Sequence, residues 1–463
     1  MRRSRTVREL RESGYRPKSV KRELRDNLIA RLRRGEPFLP GIVGYEQTVI
    51  PQIENAILSG QDIIFLGQRG QAKTRMARLL VGLLDDEIPA LAGCEIRDDP
   101  FAPICAACRA RLGKRGDKAE IVWVARDRRY GEKLATPDIT IADLIGEVDP
   151  IRVAEGRYLS DELTIHYGLL PRTNRGIFAI NELPELAERI QVGLLNIMEE
   201  RDVQIRGYKV RLPLDLYVVA SANPEDYTNR GRIITPLKDR FGSQVRTHYP
   251  RRLDDEIAIM EAERTHFPTD GFQVRSPEYV KQVVAELTHL ARKAPEISQR
   301  SGVSVRVSIC NYETLLSNAL KRALRLREEV AVSRLSDLGA LMASTSGKIE
   351  LETVGEAAEE KVLGKLLQRA VVNVFNRNFS AADVDDVVGA FQGGLTIQVS
   401  DTMPSAEYVR QVAEVPAFGA VAGKLGAADP PSIAAAVEFV LEGLHLNRKL
   451  NKDVQGGQYR YWG

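Results

Sequence analysis

The run IIFLGQRGQAKT at positions 63–74 restricts what this chain can fold into more than any other stretch. Four apolar residues read as a buried strand, Gly67 to Ala72 as a turn, and Lys73 and Thr74 as the opening of a helix that continues RMARLL. A strand, a glycine-bearing turn and a Lys-Thr pair at a helix start form a P-loop (Walker A). The backbone NH groups of Gly67, Gln68, Arg69, Gly70, Gln71 and Ala72 then cradle phosphate oxygens, with Arg75 in the helix's first turn. Lys73 reaches the β and γ phosphates and the Thr74 hydroxyl holds Mg2+, so the expected ligand is ATP with magnesium. Ala72 stands where a glycine is usual before the lysine; its methyl costs little if φ there is negative.

A second buried run, GIFAINELPEL at 176–186, ends in Asn181 and Glu182 where a P-loop ATPase normally ends in Asp-Glu. Glu182 is the expected general base that polarises the attacking water. Asn181 keeps the shape of aspartate without its charge. It holds magnesium more weakly, which slows turnover, or acts only through a magnesium-bound water.

From Gly41 to about Pro250, short β-branched runs alternate with longer helical patterns, the signature of a parallel sheet covered by helices. The expected strands include QDIIFLG, EIVWV, GIFAI and DLYVVAS. From Arg251 to Gly394 helical patterns take over, such as 307–326 with Ile309, Leu315, Leu316, Leu320 and Leu324 as its apolar positions. The expectation is an α/β nucleotide-binding domain over 41–250, an all-α lid over 251–394 and an extension over 395–463. In that extension a Gly/Ala/Pro-rich linker around Phe418 to Pro431 precedes a docking helix with Ile433, Val437, Val440, Leu441 and Leu444. Residues 1–40 form a basic segment whose helix carries Leu24, Leu28 and Leu32.

Two further segments complete a family pattern. DLYVVASANPEDY places Asn223 after a buried strand, and TPLKDRFGSQV carries Asp239, Arg240 and Phe241. With the two motifs above, in this order and spacing, residues from Gly41 to Val330 resemble AAA+ ATPases of the clade containing magnesium chelatase ATPase subunits and MoxR-like proteins. The resemblance implies a three-layer α/β core with a helical lid. It makes Asn223 the sensor that positions the hydrolytic water and Arg240 the finger reaching the γ phosphate of a neighbouring subunit, with Arg232 as the other candidate finger. It makes Arg306, in SGVSVRVSICNYETLL, the arginine coupling nucleotide to lid, and sets Ile42 and Val43 of GIVGYEQTV against the adenine. Residues 144–176 resemble the helix-2 insertion and VQIRGYKVRLP at 203–213, two arms around Gly207, the hairpin before sensor 1. The resemblance also implies a self-assembled ring, with six subunits expected, and a partner carrying a von Willebrand factor A domain. Asn181, a cysteine-bearing insertion near 94–118 and the long C-terminal region depart from magnesium chelatase itself, which argues against porphyrin metallation.

That insertion, GCEIRDDPFAPICAACRARLGKRG, holds Cys94, Cys105 and Cys108, and the C-x-x-C pair has zinc-knuckle spacing. No histidine lies within it, so a fourth Zn2+ ligand would be Asp98, Asp99, a distant residue or water. A redox pair and three buried free cysteines are the other readings. Cys310 falls in a helical pattern and reads as core.

Overall charge assigns no partner: 66 Lys+Arg against 63 Asp+Glu leave +3. The first 34 residues do hold 13 basic against four acidic side chains, either a solvated face or a patch for nucleic acid or an acidic partner, without aromatic interleaving or a recognition helix. A nucleic-acid-acting AAA+ protein is thus a second functional class, although the GAFTGA loop of bacterial enhancer-binding activators is absent. A nucleotide switch with little hydrolysis is a third. No run of about 18 apolar residues and no secretory apolar core occurs, so no membrane association and a cytoplasmic location are expected.

Overall fold

The computed structural model describes residues 3–148, 165–199, 202–204, 211–223, 232–267, 271–352, 356–455 and 458–463. They divide into two compact units, Met1–His248 and Tyr249–Gly463.

In the first unit, β1 (Ile63–Leu66) lies inside a five-stranded sheet with β4 (Tyr130–Leu134), β7 (Gly176–Asn181), β10 (Leu216–Ala222) and β11 (Ser243–Arg246). The order is β11-β1-β10-β7-β4 and every pairing is parallel. Both faces are buried, which explains why the strands read as unbroken apolar runs. Ile64, Phe178, Ile180, Val218 and Ala220 pack on one side, and Ile63, Phe65, Ile177, Ala179, Tyr217 and Val219 on the other. With both faces committed to packing, polar groups gather at the carboxyl ends of β1, β7 and β10.

EIVWV is not part of this sheet. The strand β3 (Ile121–Ala125) pairs antiparallel with β2 (Glu87–Leu91), and the parallel edge belongs instead to β4, which follows it. Within residues 144–176, β5 (Gly146–Val148) pairs antiparallel with β6 (Ile165–Tyr167), and around Gly207 β8 (Asp202–Gln204) pairs antiparallel with β9 (Arg211–Pro213). Residues 149–164 and the tip around Gly207 lie outside the described residues.

The basic amino-terminal segment is integral to this unit. Helix Val20–Arg34, with Ser19 as N-cap and left-handed Gly35 as C-cap, buries Val20, Leu24 and Leu28 in the core beneath β1, while Leu32 is exposed. Its Glu23 receives Nη1 and Nη2 of Arg129 at 2.7 and 2.6 Å, both side chains being almost wholly buried. Glu23 also accepts the Asp85 amide, and Arg129 Nε donates to the Arg175 carbonyl. The pair therefore joins the helix, the β2 entry and the β7 entry.

The second unit is mostly helical, with a short parallel pair, β12 (Gln273–Arg275) and β13 (Val330–Val332), and an antiparallel sheet β14-β16-β15 from Thr396–Val399, Gln458–Trp462 and Asn451–Gln455. Residues 395–463 share one core with 249–394, so no break falls at 394. The supposed linker holds a helix, Pro416–Lys424, that buries Phe418 and Val421. The helix Pro430–Leu446, capped by Asp429, starts before Ser432 and is buried nearly all round rather than on one docking face. Its Phe439 stacks on Tyr279, centroids 4.5 Å apart, and its buried Glu438 accepts hydrogen bonds from the Ser336 amide and the Tyr408 hydroxyl. In helix Val305–Leu326 the buried face runs through Val307, Tyr312, Leu315 and Ala319, with Ile309 and Leu320 partly buried and Leu324 exposed.

Breaking a buried ion pair strands one charge away from water, whereas replacing both partners by apolar groups does not. Arg129→Ala is expected to lower unfolding free energy by about 3–5 kcal/mol in urea titration, and Glu23→Leu with Arg129→Met to recover most of that loss. A loss below about 1 kcal/mol for the single variant would contradict the structural role given to the pair.

Candidate nucleotide-binding site

The turn after β1 is built by close packing. Gly67 donates its NH to the Ala222 carbonyl, and a Cβ on it would clash with Thr247 Oγ1 and Gln71 Oε1. Thr247 Oγ1 in turn donates to Gln71 Oε1 at 2.6 Å, and Gln71 is buried. Gly70 has φ +74°, a turn that glycine adopts without strain.

Ala72 does not meet the condition of a negative φ under which its methyl would cost little. It sits at φ 55°, ψ 16°, as N-cap of the helix Lys73–Leu79 with no side-chain cap. The glycine usual at this position would remove a real steric cost, because the left-handed region disfavours any L residue carrying a Cβ.

Lys73 Nζ donates back into the turn, to the carbonyls of Gly67 and of Gln68 (2.8 Å), and to Asn223 Oδ1 at 2.8 Å. Asn223, buried at the end of β10, is thereby brought to the P-loop across a parallel strand pair. At the end of β7, Asn181 Oδ1 receives Thr74 Oγ1 at 3.2 Å and Ser221 Oγ at 3.2 Å. Its Nδ2 donates to Glu132 Oε1 on β4 at 2.7 Å. Glu132 is gripped by Arg78, from Nε at 2.7 Å and Nη2 at 3.0 Å. Burial raises the Glu132 carboxyl, but the hydrogen bonds and charge of Arg78, with the Asn181 amide, outweigh it and hold the group below the usual carboxylate range. The carboxylate thus fixes the amide rotamer, leaving Oδ1 facing Thr74.

Two neutral oxygens, Thr74 Oγ1 and Asn181 Oδ1, therefore meet beside the turn after β1, and oxygen donors suit a hard cation such as Mg2+. Glu182 follows in a left-handed conformation, φ 55° and ψ 47°, with its amide donating to Ser221 Oγ at 3.3 Å and its side chain exposed. Ser221, Glu132 and Arg78 had no sequence motif to mark them. The one sequence signal that could lead to them is the Asn where Asp is usual, since an amide needs a partner for its NH2 group.

The remaining expected residues are taken in turn. Gly41 backs onto Arg75, whose Nη2 lies 2.9 Å from the position a Cβ would take; beside it Ile42 is buried and Val43 half-buried. Tyr45 of the same tract donates to the carbonyls of Gln71 and His248. Arg69 is exposed at the turn's tip. Arg240 ends helix Thr235–Arg240 and is paired with Glu199 at 2.5 Å and, more loosely, Asp239 at 3.8 Å. Arg232 is exposed. Arg306 belongs to the second unit, exposed on the first turn of helix Val305–Leu326.

No family model matches the chain. It is similar to the uncharacterized protein YeaC of Bacillus subtilis (strain 168), 23% identical over 202 residues that make up 40% of this chain and 59% of YeaC. It is also similar to the acetoin dehydrogenase operon transcriptional activator AcoR of the same organism, 23% identical over 173 residues, 37% of this chain and 28% of AcoR. The chain thus spans less than two thirds of each relative. A solved structure of the complex between the BchI and BchD subunits of magnesium chelatase aligns at 22% identity over 70% of this chain and 98% of that one, with a TM-score of 0.37, a likeness too loose to bear on function.

The left-handed Ala72 yields a stability test. Relief of about 1–2 kcal/mol of backbone strain exceeds the entropy cost of a glycine, about 0.5–1 kcal/mol. Ala72→Gly should therefore raise the unfolding free energy by about 0.5–1 kcal/mol in urea titration. A decrease of that size would mean that position 72 does not hold a positive φ.

Proposed function

We propose that this chain is an ATP-binding and ATP-hydrolysing AAA+ subunit of the magnesium-chelatase and MoxR-like type, which assembles into a ring and remodels a protein partner. The observation that carries the reading is the convergence of Lys73, Thr74, Asn181 and Asn223 at the ends of adjacent parallel strands, with Lys73 Nζ 2.8 Å from Asn223. A P-loop against a polar strand end on the neighbouring strand is the arrangement that phosphoryl transfer needs.

In this reading the turn amides and Lys73 bind the phosphates, and Thr74 Oγ1 and Asn181 Oδ1 hold magnesium. Magnesium, when bound, neutralises charge on the β and γ phosphates. Asn223 positions the attacking water, and Glu182 takes its proton. Arg240 exchanges Glu199 for the γ phosphate of a neighbouring subunit, a charge supplied only on assembly. Arg306 couples the nucleotide to the lid, and Ile42 and Val43 border the adenine. A ring of six, a partner with a von Willebrand factor A domain and a cytoplasmic location rest on the resemblance alone; no helix among the described residues is long and apolar enough to cross a membrane.

A second reading, a nucleotide switch with slow hydrolysis, is favoured by the neutral Asn181, whose amide is committed to Glu132. Steady-state turnover separates the two.

The shared active site is tested by complementation. Glu182→Gln should cut turnover by about 100-fold or more while leaving ATP affinity within a few-fold, because the phosphate cradle is intact. Arg240→Ala should do likewise, by about 1,000-fold or more. Mixing the two inactive variants should restore part of the activity, since some interfaces join an intact base to an intact finger. A mixture that stays inactive, with parent turnover independent of protein concentration, would exclude an arginine acting between subunits.

A further inference from the structure

Between β2 and β3 the chain leaves the ribbon and returns to it, and this excursion brings together Cys94, Asp98, Cys105 and Cys108. Their three sulfurs and a carboxylate oxygen all lie within 4.8 Å of one another. Cys105 caps the helix Ala106–Arg115, its sulfur accepting the Cys108 amide at 3.4 Å. The Cys94 sulfur accepts the Asp98 amide at 3.3 Å, across a turn in which Arg97 adopts φ 55°. Two sequence-distant turns thus each present sulfur with an amide donor, the arrangement that supports thiolate ligands.

The ordinary alternative is that these thiols are core. Cys105 and Cys108 do border apolar side chains and are 4% and 0% exposed. Asp98 does not fit it. Its side chain is wholly buried; Oδ2 accepts the Cys105 amide at 3.0 Å, and Oδ1 has no hydrogen-bond partner. A buried carboxylate left half-satisfied among three sulfurs costs free energy unless a donor or a cation completes it, and a weak thiol donor completes it less well than a cation. A disulfide between any two cysteines would leave that oxygen unpaired, whereas a cation would pair it.

We propose that Cys94, Asp98, Cys105 and Cys108 form a structural zinc site that clasps the excursion between β2 and β3. Three thiolates and one carboxylate suit Zn2+, which takes four such ligands tetrahedrally. With Zn–S bonds of about 2.3 Å, ligand atoms stand about 3.8 Å apart, so the present cluster closes by side-chain adjustment of about 1 Å or less. All four positions are protein ligands, leaving none for substrate, hence a structural role. What it would hold in place is visible: the Arg5 carbonyl accepts the Ile121 amide, the Val7 amide donates to Ala119, and the Trp123 ring NH donates to Ser4, so the amino-terminal residues are threaded onto the return arm of the same excursion.

The test uses the full chain, purified under reductant. Elemental analysis should find about one zinc per chain, and cobalt(II) added to metal-stripped protein should give the visible bands of a tetrahedral site with thiolate-to-metal charge transfer in the near ultraviolet. Cys105→Ser with Cys108→Ser should abolish both signals, while Cys310→Ser, outside the cluster, should change neither. Asp98→Asn should retain a three-thiolate cobalt spectrum but weaken zinc binding about tenfold or more, as loss of even an outer-shell partner does. Parent protein that carries no near-stoichiometric zinc and gives no tetrahedral cobalt spectrum would overturn the proposal. Because these readouts are metal content and spectrum, they succeed or fail independently of ATP turnover.

Discussion

A parallel sheet buried on both faces leaves polar chemistry few places to stand. The alternating side chains of β1, β7 and β10 are apolar toward both layers, so the groups that must meet charge are displaced to the carboxyl ends, where the strands stop and the turns begin. From that constraint follow the proximity of Lys73 to Asn223, of Thr74 to Asn181, and of Ser221 to both Asn181 and the Glu182 amide. Residues 150 positions apart are adjacent because β1 and β10 are.

The same constraint explains how the chain accommodates an asparagine where such sites usually hold aspartate. An amide has both a donor and an acceptor, so its orientation must be decided by neighbours. Glu132, one strand further out and anchored by Arg78, takes the donor end and turns the oxygen toward Thr74. A negative charge is retained near the strand ends but one residue removed from the expected metal position. The strand ends thus keep their oxygen geometry with less negative charge beside Thr74, which in the proposed function would hold magnesium less tightly.

How much of this was legible depended on whether the signal was local. The P-loop, the Asn181-Glu182 strand end and Asn223 could be read because short motifs place them on particular strands. The edge strand could not: EIVWV has the stronger β-branched run, yet YGEKL takes the edge because β2 offers EIVWV an antiparallel partner first. The φ of Ala72 was not legible, because a turn's φ depends on how Gly67 and Gln71 pack, which no single residue declares. The residues around Phe418 to Pro431 read as a linker because Gly and Ala dominate them, yet Phe418, Val421 and Ala422 recur at helical spacing and bury one face of a helix in the core of the second unit. Charge pairs such as Glu23 with Arg129 span more than a hundred residues and leave no local trace.

The central claim is that the turn after β1 binds the phosphates of ATP through Lys73. It is tested most directly by calorimetric titration of magnesium-ATP into the parent chain and into Lys73→Ala. An ammonium removed from a charge-assisted contact with phosphate should weaken binding by about tenfold or more, with the fold retained by circular dichroism. Equal affinity of the two proteins for the nucleotide would contradict the assignment of the site.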